Sequence, residues 1–251
     1  MRIEEPGRPG PAVPNYPVLS TLYLIRHGQA SFGADNYDVL SQIGAEQSRQ
    51  LGVYWGKRGE RIDACYMGPR RRHLDTARAF ARGAGAAGVA YPEPTRIDEL
   101  DEYPAIPLFK RWLPELAKQD PALADATRPD ADNRSFERAF GLIIERWARG
   151  ELDTGEFESF DHFRGRVRTA FDHIMTAEGR HRSIAVFTSG GPIAMAMQWA
   201  LELKNEVSLR AAWVIANGSI NEFRYRDSDQ LTLFRFNAIP HLQDNGLITY
   251  R

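Results

Sequence analysis

The chain alternates short apolar runs with longer amphipathic stretches. Thr21 to Ile25 is a run of strand formers that stops at Arg26, His27 and Gly28, the pattern of a buried strand whose carboxyl end opens into a polar loop. After that loop Ser41 is placed to cap a helix carrying Ile43, Leu51, Tyr54 and Trp55 at roughly helical spacing and ending near Gly56 and Gly59. Ile62 to Met67 reads as a second strand and Asp75 to Arg82 as a second helix, stopped by the glycine-rich stretch from Gly83 to Gly88. From Arg96 to Arg134 the prolines at 104, 107, 114, 121 and 129 break the chain into short helical pieces. Ser135 to Trp147 and Phe157 to Glu178 are predicted helices, the second with Phe160, Phe163, Val167, Phe171 and Ile174 at spacings of three and four. Ser183 to Thr188 is a buried strand that runs into Gly190, Gly191 and Pro192 and a helix with Ile193, Met197, Ala200 and Leu201 on one face. Trp213 to Ile215, Ile220 to Arg226 and Leu231 to Phe236 are read as strands, the last two joined by a hairpin-like turn from Asp227 to Gln230. This order predicts a three-layer α/β/α sandwich with a central, mostly parallel sheet.

Two segments stand apart from that alternation. Met1 to Ser20 holds five prolines and few apolar residues, so it reads as a flexible or extended arm rather than a signal peptide. Residues 21–251 form a single domain, in which about 103–156 looks like a helical lid inserted between core elements. No apolar run reaches the roughly 18 residues that a membrane span needs. Lysine and arginine total 32 against 33 aspartates and glutamates, so no global field draws nucleic acid and any anion site must be local. A lone cysteine, Cys65, permits a reducing compartment, and a cytoplasmic location is expected. The sequence is compatible with a homodimer, the arm serving as a strap or a free extension.

Polar residues concentrate at strand ends. Arg26, His27 and Gly28 follow the first strand, Arg70 to Arg72 the second, and Ser189, Gly190 and Gly191 the later buried strand. In an open α/β sheet such ends converge on one crevice. Two arginines and a histidine there suit a phosphoryl group, because a guanidinium fork matches phosphate oxygens and keeps its charge.

These strand-end residues belong to a longer ordered set: Leu24 to Gly28, Arg72 with Asp75, Thr76 and Ala77, and Val186 to Ile193. Leu40, Ser41, Gly44 and Gln47, then Leu100 to Glu102, then Asn237, His241 and Leu242 complete it. From about Thr21 to Leu242 the chain resembles the histidine phosphatase, or phosphoglycerate mutase-like, superfamily. The resemblance implies that His27 accepts the phosphoryl group, that Arg26 and Arg72 clamp its oxygens, and that Glu102 protonates the leaving alcohol and then activates water. It implies no metal and no cofactor. The attacking nitrogen must be neutral, so the other ring nitrogen should donate to a loop carbonyl.

One position departs from the pattern. Where family members usually carry a second histidine just before Gly-Gly, this chain has Ser189. Ser189 retains one hydrogen-bond donor, and the amides around Gly190 and Gly191, at a helix start, remain available for an anion. Losing one transition-state donor typically costs on the order of 10²- to 10³-fold. The implied reaction is therefore hydrolysis of a small-molecule or protein phosphomonoester through phosphohistidine, with a weakly catalytic phospho-ligand-binding protein as the alternative. A mutase is less expected, since no basic insertion is set aside for a bisphosphorylated cofactor. Phe109, Lys110, Arg111 and Trp112 in the lid are candidate substrate contacts.

Each signal also has a structural reading. Arg70 and Arg71 suit a solvated basic turn, and Asp98, Glu99 and Asp101 compete with Glu102. Ser189 before Gly-Gly-Pro suits a helix N-cap. A serine-hydrolase elbow is excluded because Phe187 stands where that motif requires glycine. His73 would be placed to substitute for the missing histidine, but adjacent residues usually point apart, which argues against it. His241 is read as a structural brace, and His162, His173 and His181 as surface or packing residues.

Overall fold

The computed structural model describes residues 19–31, 38–128, 131–242 and 246–250. Most of the proline-rich arm lies outside these residues, and its last member, Ser20, already opens a strand. In chain order the elements are β1 (Ser20–Arg26), α1 (Gln42–Arg58), β2 (Ala64–Met67), α2 (Arg71–Ala86), β3 (Thr95–Arg96), α3 (Ala105–Gln119), α4 (Asn133–Ala148), α5 (Phe160–Glu178), β4 (Ser183–Thr188), α6 (Gly190–Leu201), α7 (Asn205–Trp213), β5 (Ile220–Tyr225) and β6 (Leu231–Ala238). Short 3-10 turns fill Asp98–Leu100 and Pro121–Thr127.

One six-stranded sheet runs in the order β3-β2-β4-β1-β5-β6. β3, β2, β4 and β1 pair in parallel, while β5 is antiparallel to both β1 and β6. The period of two along a strand assigns its residues to two cores. Leu22 and Leu24 of β1, with Ile184 and Val186 of β4, pack against Phe163, Val167 and Ile174 of α5 and Ile193 of α6. Tyr23, Ile25, Ala185 and Phe187 face the other way onto Leu51 and Trp55 of α1 and Phe80 of α2. Central strands buried on both faces explain why their sequences are continuously apolar.

Helix ends follow local chemistry. The Ser41 hydroxyl accepts from Gly44 N at 3.0 Å to start α1, and Gly59 ends it at φ 62°. α2 does end inside the glycine-rich stretch, at Ala86 before Gly88 at φ 80°, but it runs on through Gly83 and Gly85 first. A Cβ on Gly83 would lie 2.0 Å from Arg49 O, and one on Gly52 2.0 Å from Phe80 O, so these glycines let α1 and α2 cross closely.

The middle segment is also more regular than its prolines suggest. Pro107 falls in the first turn of α3, where an amide has no helical partner to lose, and Pro114 is carried inside a single 15-residue helix. Phe109 packs edge-on to Phe136 at 4.8 Å between ring centroids, so it belongs to the core rather than to a substrate surface. Trp213 to Ile215 is not a strand, since Trp213 ends α7. So short an apolar run does not separate strand from helix, and here the buried faces of Ser208, Leu209 and Ala212 decide it. Among the described residues no helix is long and apolar enough to cross a membrane.

His241 is buried beside Tyr54 and Gly218, as a brace would be. Neither ring nitrogen has a hydrogen-bond partner among the described residues. Burial lowers its pKa from 6.5 to about 4. A depressed pKa gives stability that is complete above the unfolded value and is lost as pH falls from 6.5 towards about 4. By pH 4.5 this loss is on the order of 2 to 3 kcal/mol. Urea unfolding of the wild type and His241→Leu at pH 7 and pH 4.5 should show that the variant loses less stability between the two pH values by about that amount.

Candidate active site

The site is built on two neighbouring parallel strands. β1 and β4 pair with Arg26 opposite Thr188, and His27 N then donates to Thr188 O at 2.9 Å. His27 and Ser189 therefore leave the carboxyl end of the sheet side by side. The loop after β1 is tied down on three sides. Gly28 N donates to Thr76 Oγ1 at 3.0 Å, and that hydroxyl donates to Arg72 O at 2.8 Å. A Cβ on Gly28 would meet Gly44 O at 2.2 Å, so only glycine lets the loop lie against α1. Asn217 Nδ2 donates to His27 O at 3.2 Å, and Thr249 Oγ1 holds Asn217 in turn at 2.9 Å.

His27 is only 4% exposed. Its Nδ1 lies 2.7 Å from Gly28 O. A carbonyl can only accept, so Nδ1 carries the proton and Nε2 presents a lone pair. Burial, followed by the charges of Arg72 and Arg26, holds the His27 pKa well below the ordinary histidine value. The imidazole is neutral at physiological pH, as a nitrogen nucleophile requires.

Arg72 and Arg26, the arginines expected to hold a phosphate, are the two charged residues that add to burial in lowering the His27 pKa. Arg72 Nη1 pairs with Asp38 at 2.8 Å and Nη2 reaches Ser189 Oγ at 3.4 Å. Arg26 Nη1 donates to Ile215 O and, at 3.1 Å, to Tyr250 O. Of the other two arginines, Arg71 pairs with Asp75 at an exposed position, as a solvated turn would. Arg70 is bound to Asp101, whose Oδ1 also accepts from Glu102 N at 2.7 Å.

Glu102 is singled out from its acidic neighbours by geometry. Its Oε2 accepts from Gly191 N at 3.2 Å and its Oε1 from Tyr103 N at 3.1 Å. Burial pushes its carboxyl above the ordinary carboxylate range, while the Gly191 amide and Arg72 pull it back. Asp98 instead pairs with Arg96 in solvent. The amide of Gly191 is thus committed to Glu102 rather than available for an anion, which corrects the sequence expectation. Gly190 opens α6, where a Cβ would lie 3.2 Å from Ala212 O.

Ser189 does not act as a side-chain cap for α6. It is fully buried, and its Oγ lies 2.8 Å from His73 Nε2. His73 is equally buried, with its ring 5.8 Å from that of His27. The expectation that His73 points away is therefore overturned. The long Arg72 side chain converges on the same Oγ that the shorter His73 reaches directly. Asp38, Asn217 and Thr249 also support the site and were not anticipated. Asp38 and Asn217 belong to no periodic pattern, and Thr249 lies beyond the motif set.

Residues 22–238 match the histidine phosphatase superfamily (branch 1), and the chain belongs to that superfamily. It is 26% identical over 234 residues to phosphoglycerate mutase-like protein 4 of Arabidopsis thaliana, covering 90% of this chain and 89% of that protein. Its fold is similar to that of a phosphoglycerate mutase from Bacillus anthracis (TM-score 0.62, 17% identity, 89% of this chain and 95% of that one). It is also similar to phosphoserine phosphatase from Entamoeba histolytica (TM-score 0.60, 19% identity, 89% and 99%) and to a mycobacterial glucosyl-3-phosphoglycerate phosphatase (TM-score 0.60, 19% identity, 88% and 99%). These relatives support a phosphoryl-transfer enzyme of phosphatase type.

The Glu102 geometry depends on a missing methyl group. A Cβ on Gly191 would lie 2.0 Å from Glu102 Oε1 and 2.8 Å from Tyr103 Cδ1. Gly191→Ala should displace the carboxyl and lower kcat on an aryl phosphate about 10²-fold, the usual effect of a misplacement near 1 Å. Circular dichroism should show that the variant stays folded, and an unchanged kcat would remove Glu102 from the reaction.

Proposed function

We propose that the protein is a phosphomonoester hydrolase in which the phosphoryl group passes through Nε2 of His27. The observation that carries this reading is the neutral, buried imidazole. Its Nδ1 proton is fixed on Gly28 O, and it lies within the fields of Arg26 and Arg72. The two guanidiniums bind the phosphoryl oxygens and balance charge spread over the transferring group. Nε2 attacks phosphorus in line as the ester P–O bond breaks, and the departing alkoxide takes the Glu102 proton. Water then attacks the phosphohistidine, gives its proton to the Glu102 carboxylate, and releases inorganic phosphate with both residues restored.

The chain from Tyr103 to about Glu156 is read as the cap of the pocket. It begins directly after Glu102 and is anchored by Trp147, which stacks on Tyr103 with centroids 5.2 Å apart. Two relatives are named for phosphoserine and glucosyl-3-phosphoglycerate, and a polar phosphomonoester is the substrate class carried over from them.

The pH profile carries the sign of each role. Glu102 must be protonated to donate, and its raised pKa holds the proton to higher pH than free glutamate does, so kcat falls as pH rises through that pKa. The depressed pKa of His27 puts the acid limb well below pH 6.5. With a generic aryl phosphate near pH 6 and no added metal, the wild type should turn over and form acid-labile phosphoprotein. His27→Ala should do neither. Glu102→Gln should lose roughly 10²- to 10⁴-fold in kcat and lack the alkaline limb. Ser189 favours the second reading, a weak enzyme kept for binding, because it places a neutral hydroxyl beside Arg72. A wild type that binds phosphate without turnover, combined with activity gained in Ser189→His, would establish that second reading instead.

A further inference from the structure

Arg166, in the first half of α5, reaches the chain just before Glu102. Its Nη1 donates to Glu99 O at 2.6 Å and to Asp101 O at 2.8 Å. Its Nε and Nη2 donate to the two carboxylate oxygens of Glu158, at 2.6 and 2.8 Å. Both side chains of this ion pair are only 16% exposed, and the guanidinium carbon lies 4.9 Å from the centroid of the buried Phe163 ring. The planar fork is thus fixed on one edge by a carboxylate and offers another to backbone carbonyls.

The segment that carries Glu102 has no regular structure of its own. The 3-10 turn ends at Leu100 and α3 begins at Ala105, so the carbonyls near this junction lack the partners that a continuing helix would supply. Side chains supply them instead. Thr188, at the end of β4, donates its hydroxyl to Leu100 O at 3.0 Å. With Arg166 on Glu99 O and Asp101 O, three successive carbonyls before the acid are each held by a side chain. The Asp101 carboxylate, bound by Arg70, accepts from Glu102 N in turn. Arg166 also joins the two ends of the cap, since Asp101 precedes Tyr103 and Glu158 follows Glu156. Trp147 of the cap donates its indole N–H to Glu158 O at 2.9 Å, which ties α4 to the same point.

We propose that Arg166 is a positioning residue for Glu102. With Glu158 it fixes the backbone from which the acid is aimed and pins both ends of the cap to α5, so that the acid is set when the cap is seated. This inference rests on reading Glu102 as the proton donor to the leaving alcohol. Arg166 acts through two carbonyls rather than on the reacting atoms. A general acid matters in proportion to how much the leaving group needs its proton. Loss of the clamp therefore slows departure of an alkoxide strongly and of a nitrophenolate weakly, whereas a generally damaged pocket slows both alike.

The test compares kcat/KM of the full chain on glycerol phosphate and on 4-nitrophenyl phosphate. Arg166→Met keeps an apolar side chain against Phe163 but makes none of the hydrogen bonds to Glu99, Asp101 and Glu158. It should lower kcat/KM on glycerol phosphate about 10²-fold, the effect of a misplacement near 1 Å, and far less on 4-nitrophenyl phosphate. Glu102→Gln should show the same contrast, and adding Arg166→Met to it should cause little further loss, because the two residues act as one unit. Should circular dichroism show that Arg166→Met is unfolded, Glu158→Gln, which weakens the anchor and leaves the guanidinium, should give a smaller loss with the same contrast. Equal losses on the two substrates, no loss on either, or a full further loss in the Glu102→Gln background would each overturn the proposal. A Glu102→Gln variant without the contrast would instead overturn the reading of Glu102 as the acid, and a wild type inert on both substrates the phosphatase reading itself.

Discussion

The site depends first on the parallel register between β1 and β4. Because Arg26 stands opposite Thr188, the last ladder bond falls between His27 N and Thr188 O, and the two loops leave the sheet at the same height. A shift of one residue would turn His27 to the opposite face and send Ser189 into the wrong layer. That register is strongly specified, since both strands are buried on both faces and every side chain has a distinct core to fill. Packing energy in the two cores therefore fixes the relative positions of His27 and Ser189.

A second feature is how positive charge is held near an imidazole that stays neutral. Arg26 donates to backbone carbonyls, Arg72 is paired with Asp38, and Arg70 with Asp101. Beyond the effect of burial, the charges of Arg72 and Arg26 act on His27, and both lower its pKa. Glu102, on which Arg72 and Arg26 also act, accepts from the amide of Gly191 and has its pKa raised by burial. The same burial disfavours charge on both groups, raising the pKa of Glu102 and lowering that of His27.

The sequence made the layers, the strand ends and the residues His27, Arg26, Arg72 and Glu102 legible, because buried strands are continuously apolar and the motif residues keep their order. Elements set by tertiary contact were less legible. Gly83 looks like a helix stop until α1 is seen lying against it, and Pro114 looks like a break until a continuous α3 is seen. Short apolar runs such as Trp213 to Ile215 carry no period. At the site, the reach of His73 to Ser189 spans 116 residues and is invisible to any local rule. The same holds for Asn217 and Thr249, whose side chains form a relay to the His27 carbonyl.

The strand order also bears on the birth of the protein at the ribosome. β1 is made first, yet its two sheet neighbours are β4 and β5, so it has no partner until the chain has grown past residue 183. β2 and β3 can pair early, but the centre of the sheet closes only when β4 inserts between β2 and β1. Such long-range pairing is intrinsically slow and leaves apolar strands exposed during synthesis. Until then His27 lacks the Thr188 and Asn217 contacts that set its loop. His27 comes early in translation, and the contacts that hold it come last.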